Sequence, residues 1–250
     1  MTDTLETLVG RVEATTQTFS IVNYDGPPEK RARIASYFEP QSVEVREGVT
    51  DASLPRNFAV LHDGEEFVAA ASVEDVHRHV AGEGMFEDDF GAVERPAILE
   101  HVDDRTFTSY DIGQMLLASH EIERYAHRVG EGELHAGFQR LSTLESQTHI
   151  YEKLRDADVD VHVYGAGDAD APAGLVEHTS DADEILESWF VVFDSDRSPV
   201  DARALVAVET GDREFTGFWT YENDTVDDVL ARLRDRYPAT RETETLRADD

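Results

Sequence analysis

Cysteine is absent from all 250 residues. That removes thiolate zinc sites, a nucleophilic thiol and a disulfide framework together. Lysine is nearly absent too: Lys30 and Lys153 are the only two among 22 basic residues, and the rest are arginine. No apolar run approaches the roughly 18 residues of a membrane span. The opening "MTDTLETLVGRVEATTQ" carries acids where a signal peptide carries bases. A cytoplasmic protein without a membrane partner is expected. Neither G-x-x-x-x-G-K-[ST] nor G-x-S-x-G occurs, so P-loop nucleotide use and elbow-type serine catalysis have no support.

Acid is what the chain has in excess: 54 Asp and Glu against 22 Lys and Arg, a net charge of −32. Such a surface repels itself at low ionic strength. Near 1 M salt the screening length falls to about 3 Å and the penalty fades. The simplest expectation is a halophilic, acidic protein of a salt-rich cytoplasm. Disorder is not expected, because 40% of residues are hydrophobic and they gather into strand-like runs. The basic cluster "PEKRARIA" reads as a solvated helix face, and nucleic-acid binding is not expected at this charge.

Periodicity predicts an α/β protein in two lobes. Residues 1–80 form an N-terminal α/β extension: helix "TLETLVGRVEA", strand "TFSIVNY", a helix opening at "GPPEK", strand "SVEVREG", and a hairpin turning at Asp63-Gly64. Ser72 and Asp75 read as a cap for "VEDVHRHV". Residues 81–104 read as a connector in which Met85, Phe86 and Phe90 pack. From 105 to 238 come the helix "YDIGQMLLASHEIERYAHRV", a connector "GELHAGFQ", a helix capped at Ser142, strands "VDVHVYG" and "SWFVVFD", a hairpin at Gly211-Asp212, and a last helix. The first lobe is expected to hold a mixed sheet. The second is expected to hold a largely antiparallel sheet backed by two long helices. The tail 239–250 reads as disordered.

Four stretches, "SHEIERYAHRVGEGELHAGFQRLS", "VHVYG", "WFVVF" and "FTGFWTYE", resemble the DICT sensory domain over roughly residues 105–236. The N-terminal half looks like the extension on free-standing haloarchaeal members. The resemblance implies a non-enzymatic signal-input module that responds to a small ligand or light-related signal. A separate signalling protein, such as a histidine kinase or regulator of a two-component system, would read it. The resemblance brings no catalytic residue with it, and it names no cofactor.

Two groups of residues are candidates for chemistry. Trp189 and Trp219 each sit beside a phenylalanine in an apolar strand, and with Tyr164 they are expected either to pack as core or to wall a flat ligand cavity. Phe138 and Gln139 join them from the connector, Phe138 as an anchor and Gln139 facing either buried backbone or a ligand. His120, Glu123 and His127 fall within about 60° of each other on one helix. Two imidazoles and a carboxylate suit a divalent metal, and their ordinary reading is a polar rim. Two further functions stand beside the sensor: a ligand-free protein-interaction adaptor, and a metal-assisted enzyme at that helix.

Overall fold

The computed structural model describes residues 4–9, 17–39, 43–81, 96–100, 102, 105–195 and 202–242. The chain forms two compact units, residues 13–108 and residues 1–12 with 109–250. Met85, Phe86, Phe90 and most of the expected connector lie outside the described residues. The first helix, α1 (Leu5–Val9), belongs to the larger unit, although it precedes the smaller one in the chain.

The smaller unit runs β1 (Gln17–Val22), α2 (Pro28–Phe38), β2 (Val43–Val49), β3 (Phe58–Asp63), β4 (Glu66–Ser72), α3 (Val73–Val80) and α4 (Ala97–Glu100). Its sheet order is β2-β1-β3-β4. The β1–β2 pair is parallel and the others antiparallel. "TFSIV" is apolar on both sides and takes an inner position; "VEVREGV" alternates and takes an edge. Ile34 and Phe38, four apart on α2, are buried, and Phe38 meets Phe19 of β1 with ring centroids 4.6 Å apart. The expected cap forms: Ser72 Oγ accepts the Asp75 N–H at 3.0 Å.

β5 (Arg105–Tyr110) runs across the division at 108/109, and the larger unit continues with α5 (Ile112–Val129), β6 (Glu133–Arg140), a 3-10 turn (Leu141–Gln147), α6 (Thr148–Asp156), β7 (Asp160–Ala166) and β8 (Val176–Thr179). Then come α7 (Asp183–Leu186), β9 (Ser188–Asp194), β10 (Arg203–Gly211), β11 (Glu214–Thr220), α8 (Asn223–Arg236) and β12 (Arg241–Glu242). The strand order is β12-β8-β7-β6-β9-β10-β11-β5. The β6-β7-β8 block is parallel, and β6-β9-β10-β11 is antiparallel. The protein is thus α/β with two mixed sheets.

Several local features differ from the sequence reading. "GELHAGFQ" is not a helix–helix connector but strand β6, in the middle of the larger sheet. Its alternation is hidden because Leu134, His135, Ala136 and Gly137 are all buried, on both faces. Gly132 takes φ +99°, and a Cβ there would stand 2.3 Å from the Asp194 carbonyl oxygen. At Gly137 a Cβ would stand 2.3 Å from the Phe190 ring, so the glycine makes room for an aromatic. Ser142 does not cap a helix; its N–H and hydroxyl both go to Asp168. Asp111 caps α5, in a capping box with Gln114. In the expected tail, Arg241 and Glu242 pair with β8.

Both faces of the larger sheet are covered. On one, Leu5 and Leu8 of α1, Ile185 of α7 and Val226, Val229, Leu230 and Leu233 of α8 pack on Tyr164, Phe190, Val192, Val206 and Phe218. Strand alternation sends Trp189, Val191 and Phe193 to the other face. There Trp189 bonds α5 through Ser119, Phe193 meets Tyr125 of α5, and Phe138 meets Tyr151 of α6.

Candidate functional site

On the α5/α6 face, the carboxyl end of β6 lies beside the start of β9 and the end of β10. A cleft of about 200 Å³ opens there. Phe138, Trp189 and Phe215 make an aromatic wall; Gln139, Thr143, Gln147, Glu209 and Arg213 supply polar edges. Trp189 and Phe215 meet edge to face at 5.5 Å. Gln139 holds φ +59° and donates from Nε2 to Glu209 Oε2 at 3.0 Å. The other oxygen of Glu209 accepts the Arg213 N–H at 3.0 Å. These bonds fix the polar edge against the aromatic wall.

Phe138, Gln139 and Trp189 therefore line one cleft. Trp219 shares their sheet face but is not in the lining: it pairs with Leu205, two positions along β10 from the Ala207 that pairs with Trp189. Tyr164 faces the other way. It is in register with Gly137, whose missing side chain would point at Phe190, and it packs in the α8-side core. Period-two alternation separates it from the tryptophans.

Beneath the cleft lies a buried carboxyl. Glu123 of α5 is fully buried and accepts a short hydrogen bond from the Tyr151 hydroxyl. Tyr151 in turn packs edge-on against Phe138 at 5.2 Å. His120 Nε2 stands 3.8 Å from Glu123 Oε2, and that oxygen makes no hydrogen bond among the described residues. Burial pushes the Glu123 carboxyl above its ordinary range, opposed by His120 and by the Tyr151 bond. The helix brings His120 and Glu123 together. His127 is not grouped with them at metal-ligand spacing.

A different cluster has that spacing, on the α8-side face. Glu133 and His135 of β6 and His162 of β7 bring ligand atoms within 4.8 Å of one another, the only such group among the described residues. His135 Nδ1 meets the Tyr164 hydroxyl at 2.7 Å, and Nε2 meets Glu133 Oε2 at 3.2 Å. Arg234 of α8 donates to the same Glu133 oxygen at 2.6 Å. His162 Nδ1 meets His178 Nε2 at 2.9 Å, and His178 Nδ1 donates to the Tyr237 carbonyl at 2.7 Å. The rings stack in two pairs: His135 on His162 at 4.3 Å, and Tyr164 on His178 at 4.1 Å. Hydrogen bonds from His135 and Arg234 hold Glu133 down at about 2. Burial holds His135 and His178 below the usual histidine range, and burial with the two neighbouring imidazoles holds His162 at about 3.

Sequence reasoning missed this cluster because His135, His162 and His178 lie on three separate strands. The available signal was the strand pattern: "LHAG" and "VHVYG" pair in parallel register, which sets both imidazoles on one face.

Fold and cleft define an α/β domain whose sheet presents a small aromatic-walled site on one face. Residues 97–209 match the family model of DICT, the sensory domain in diguanylate cyclases and two-component systems. That stretch runs from α4 into β10 and includes most of the cleft and the histidine strands. A comparison with curated proteins returned no match. Among solved structures, the crystal structure of polyphosphate kinase from Porphyromonas gingivalis is similar at 10% identity and a TM-score of 0.36. The match covers 92% of this chain and 47% of that one, so this chain spans about half the enzyme's length. So low a score carries no functional argument. Among the described residues, no helix is long and apolar enough to cross a membrane.

Proposed function

We propose that this protein is a cytoplasmic, non-enzymatic signal-input module of a halophilic cell. Its cleft takes a small planar ligand, and a separate signalling protein such as a histidine kinase or regulator reads the result. The observation that carries the reading is the cleft itself, which lies largely within the DICT-family stretch. Its chemistry suits a flat molecule with one polar edge: aromatic rings for the face, and Gln139, Gln147, Thr143 and Glu209 for hydrogen bonds. At about 200 Å³ it suits a compact ligand of one or two rings rather than a dinucleotide.

The cleft also has a mechanical outlet. Trp189 is bonded to Ser119 of α5 at 2.9 Å. Phe138 leans on Tyr151 of α6, whose hydroxyl is bonded to Glu123 of α5. A ligand that repositions either ring acts on both helices. It shifts their arrangement only by as much as it binds one arrangement better than the other.

The test is a ligand search on protein purified from a halophilic host, in molar KCl and in the dark. A visible spectrum is followed by denaturation and mass spectrometry of what is released. A stoichiometric small molecule, lost in Trp189→Ala and Phe138→Ala, is the expected result. Nothing released, and no shift in Tm from a panel of small planar compounds, would overturn the ligand reading in favour of a ligand-free adaptor.

A further inference from the structure

The histidine cluster lies on the opposite sheet face from the cleft, and the sensor reading above does not use it. We propose that Glu133, His135 and His162 bind one divalent first-row transition ion, in a site where Arg234 is the resident competitor for the carboxylate.

The argument begins with the protons. A backbone carbonyl only accepts, so His178 Nδ1 carries a hydrogen and gives it to Tyr237. Neutral His178 then has its lone pair on Nε2, and His162 Nδ1–H must donate to it. That leaves Nε2 as the nitrogen of His162 with an available lone pair. His135 has the same freedom by a different route. The Tyr164 hydroxyl can accept as well as donate, so His135 can keep its hydrogen on Nδ1, give it to Tyr164 and present Nε2 on the Glu133 side. His178 fixes the tautomer of His162, the arrangement that orients metal-binding histidines. At His135 the hydrogen that Nε2 gives to Glu133 in the metal-free chain must move to Nδ1, where Tyr164 can accept it.

The donor set selects the ion. Two imidazoles and a carboxylate without a thiolate suit Zn²⁺, Co²⁺, Ni²⁺ or Fe²⁺, and not the all-oxygen preferences of Ca²⁺ and Mg²⁺. The salt-adapted surface does not explain it, because charge adaptation calls for carboxylates and not for paired buried imidazoles. Tetrahedral ligands at bond lengths of about 2.0–2.1 Å stand about 3.3 Å apart, so a group spread over 4.8 Å must close. The movable member is Glu133, with a side chain 36% exposed against 1% for His135. Arg234 now holds the Glu133 carboxylate; at 48% exposed it can swing out, and the ion takes over its charge-balancing role.

Co²⁺ is the probe, because its visible bands report imidazole ligation. The full chain is titrated in molar KCl with excess Mg²⁺, which occupies the surface carboxylates. One Co²⁺ per chain, displaced by Zn²⁺, is expected. His162→Gln and Glu133→Gln should each weaken it at least tenfold, and Arg234→Gln should tighten it several-fold. His120→Gln and His127→Gln, away from the cluster, should leave it unchanged. Glu133 is partly exposed, so its variant reports even if His162→Gln folds poorly. No saturable binding overturns the proposal, as does stoichiometric binding that persists in Glu133→Gln and does not tighten in Arg234→Gln. The cleft reading stands or falls separately, since no residue is shared between the two sites.

Discussion

On the α5/α6 face of the larger sheet, Glu123 is buried with a tyrosine hydroxyl as its one hydrogen-bond donor among the described residues, and its carboxyl is pushed up. On the other face, Glu184 of α7 is only partly buried, and it accepts from Arg232, Tyr237 and the Leu5 N–H. Burial works against the Glu184 carboxylate too, but these bonds outweigh it and hold the group below its ordinary range. The same side chain is thus held by arginine hydrogen bonds on one face and has His120 at 3.8 Å on the other. The two carboxyls differ in depth and in donors, and both differences push the same way: deeper burial raises Glu123, and more donors lower Glu184. The anchored one, Glu184, ties three elements together, α1, α7 and α8. Glu123 is linked to the cleft wall through Tyr151 and Phe138.

The largest effect should come from breaking the anchored side. Glu184→Ala leaves Arg232, whose side chain is 13% exposed, without its partner, and releases the α1 N–H. Removing one member of a buried pair costs about 3–5 kcal/mol. Urea unfolding in molar KCl should show a loss of that size, and Glu184→Gln, which keeps the acceptor oxygen, a smaller one. A loss below about 1 kcal/mol in the alanine variant would mean that solvent screens the pair, as at an ordinary surface. The pH sign follows from the lowered carboxyl. Stability from Glu184 is present above its ordinary value of 4.5 and is lost as pH falls through the lower folded-state value.

Glu123 should behave in the opposite sense. Its folded-state value is raised above 4.5, so between the two values the folded chain keeps a proton that the unfolded chain has released. Stability therefore falls as pH rises through that window, and the loss is complete above it. The groups that bear on this titration are His120 and Arg124 of α5 and Tyr151 and His149 of α6. Glu123→Gln keeps the acceptor for Tyr151 and removes the charge. It should gain about 1–3 kcal/mol at neutral pH, the scale of a relieved buried polar penalty, and flatten that part of the pH profile. A variant that loses stability at neutral pH would show that the Glu123 carboxylate is stabilised there and that the contrast between the faces is wrong.

How much of this was legible in the sequence depends on how local the signal is. The Asp63-Gly64 and Gly211-Asp212 hairpins, the Ser72 cap and the α8 stripe rest on neighbours a few residues apart, and all form. Strand β6 was misread because its buried run has no visible alternation and its two glycines look like turn residues. They serve instead a close approach to Asp194 and room for Phe190. The pair His120 and Glu123 was legible as a helical spacing. The set Glu133, His135 and His162 was not, since it requires knowing that β6 and β7 are adjacent and parallel. Of the five residues expected at a ligand site, Phe138, Gln139 and Trp189 line the cleft, while Trp219 and Tyr164 do not, because the side on which a strand residue falls depends on the register of its neighbours.

The smallest expected effect tests the cleft face most directly. Trp189 is half-buried, and its indole N–H donates to Ser119 Oγ at 2.9 Å. This is a single neutral hydrogen bond, worth about 1 kcal/mol, against the multiple charged bonds of Glu184. Ser119→Ala should therefore cost about 1 kcal/mol and leave the fold intact, because Trp189 still packs on Phe215. In a Trp219→Phe background Trp189 is the sole tryptophan, and its emission then reports the indole environment alone. Ser119→Ala should change that emission, and a cleft ligand should change it in the parent while shifting Ser119→Ala by a different amount. If the two proteins respond to the ligand identically, the Trp189–Ser119 bond does not couple the cleft to α5, and Phe138 through Tyr151 is the remaining route.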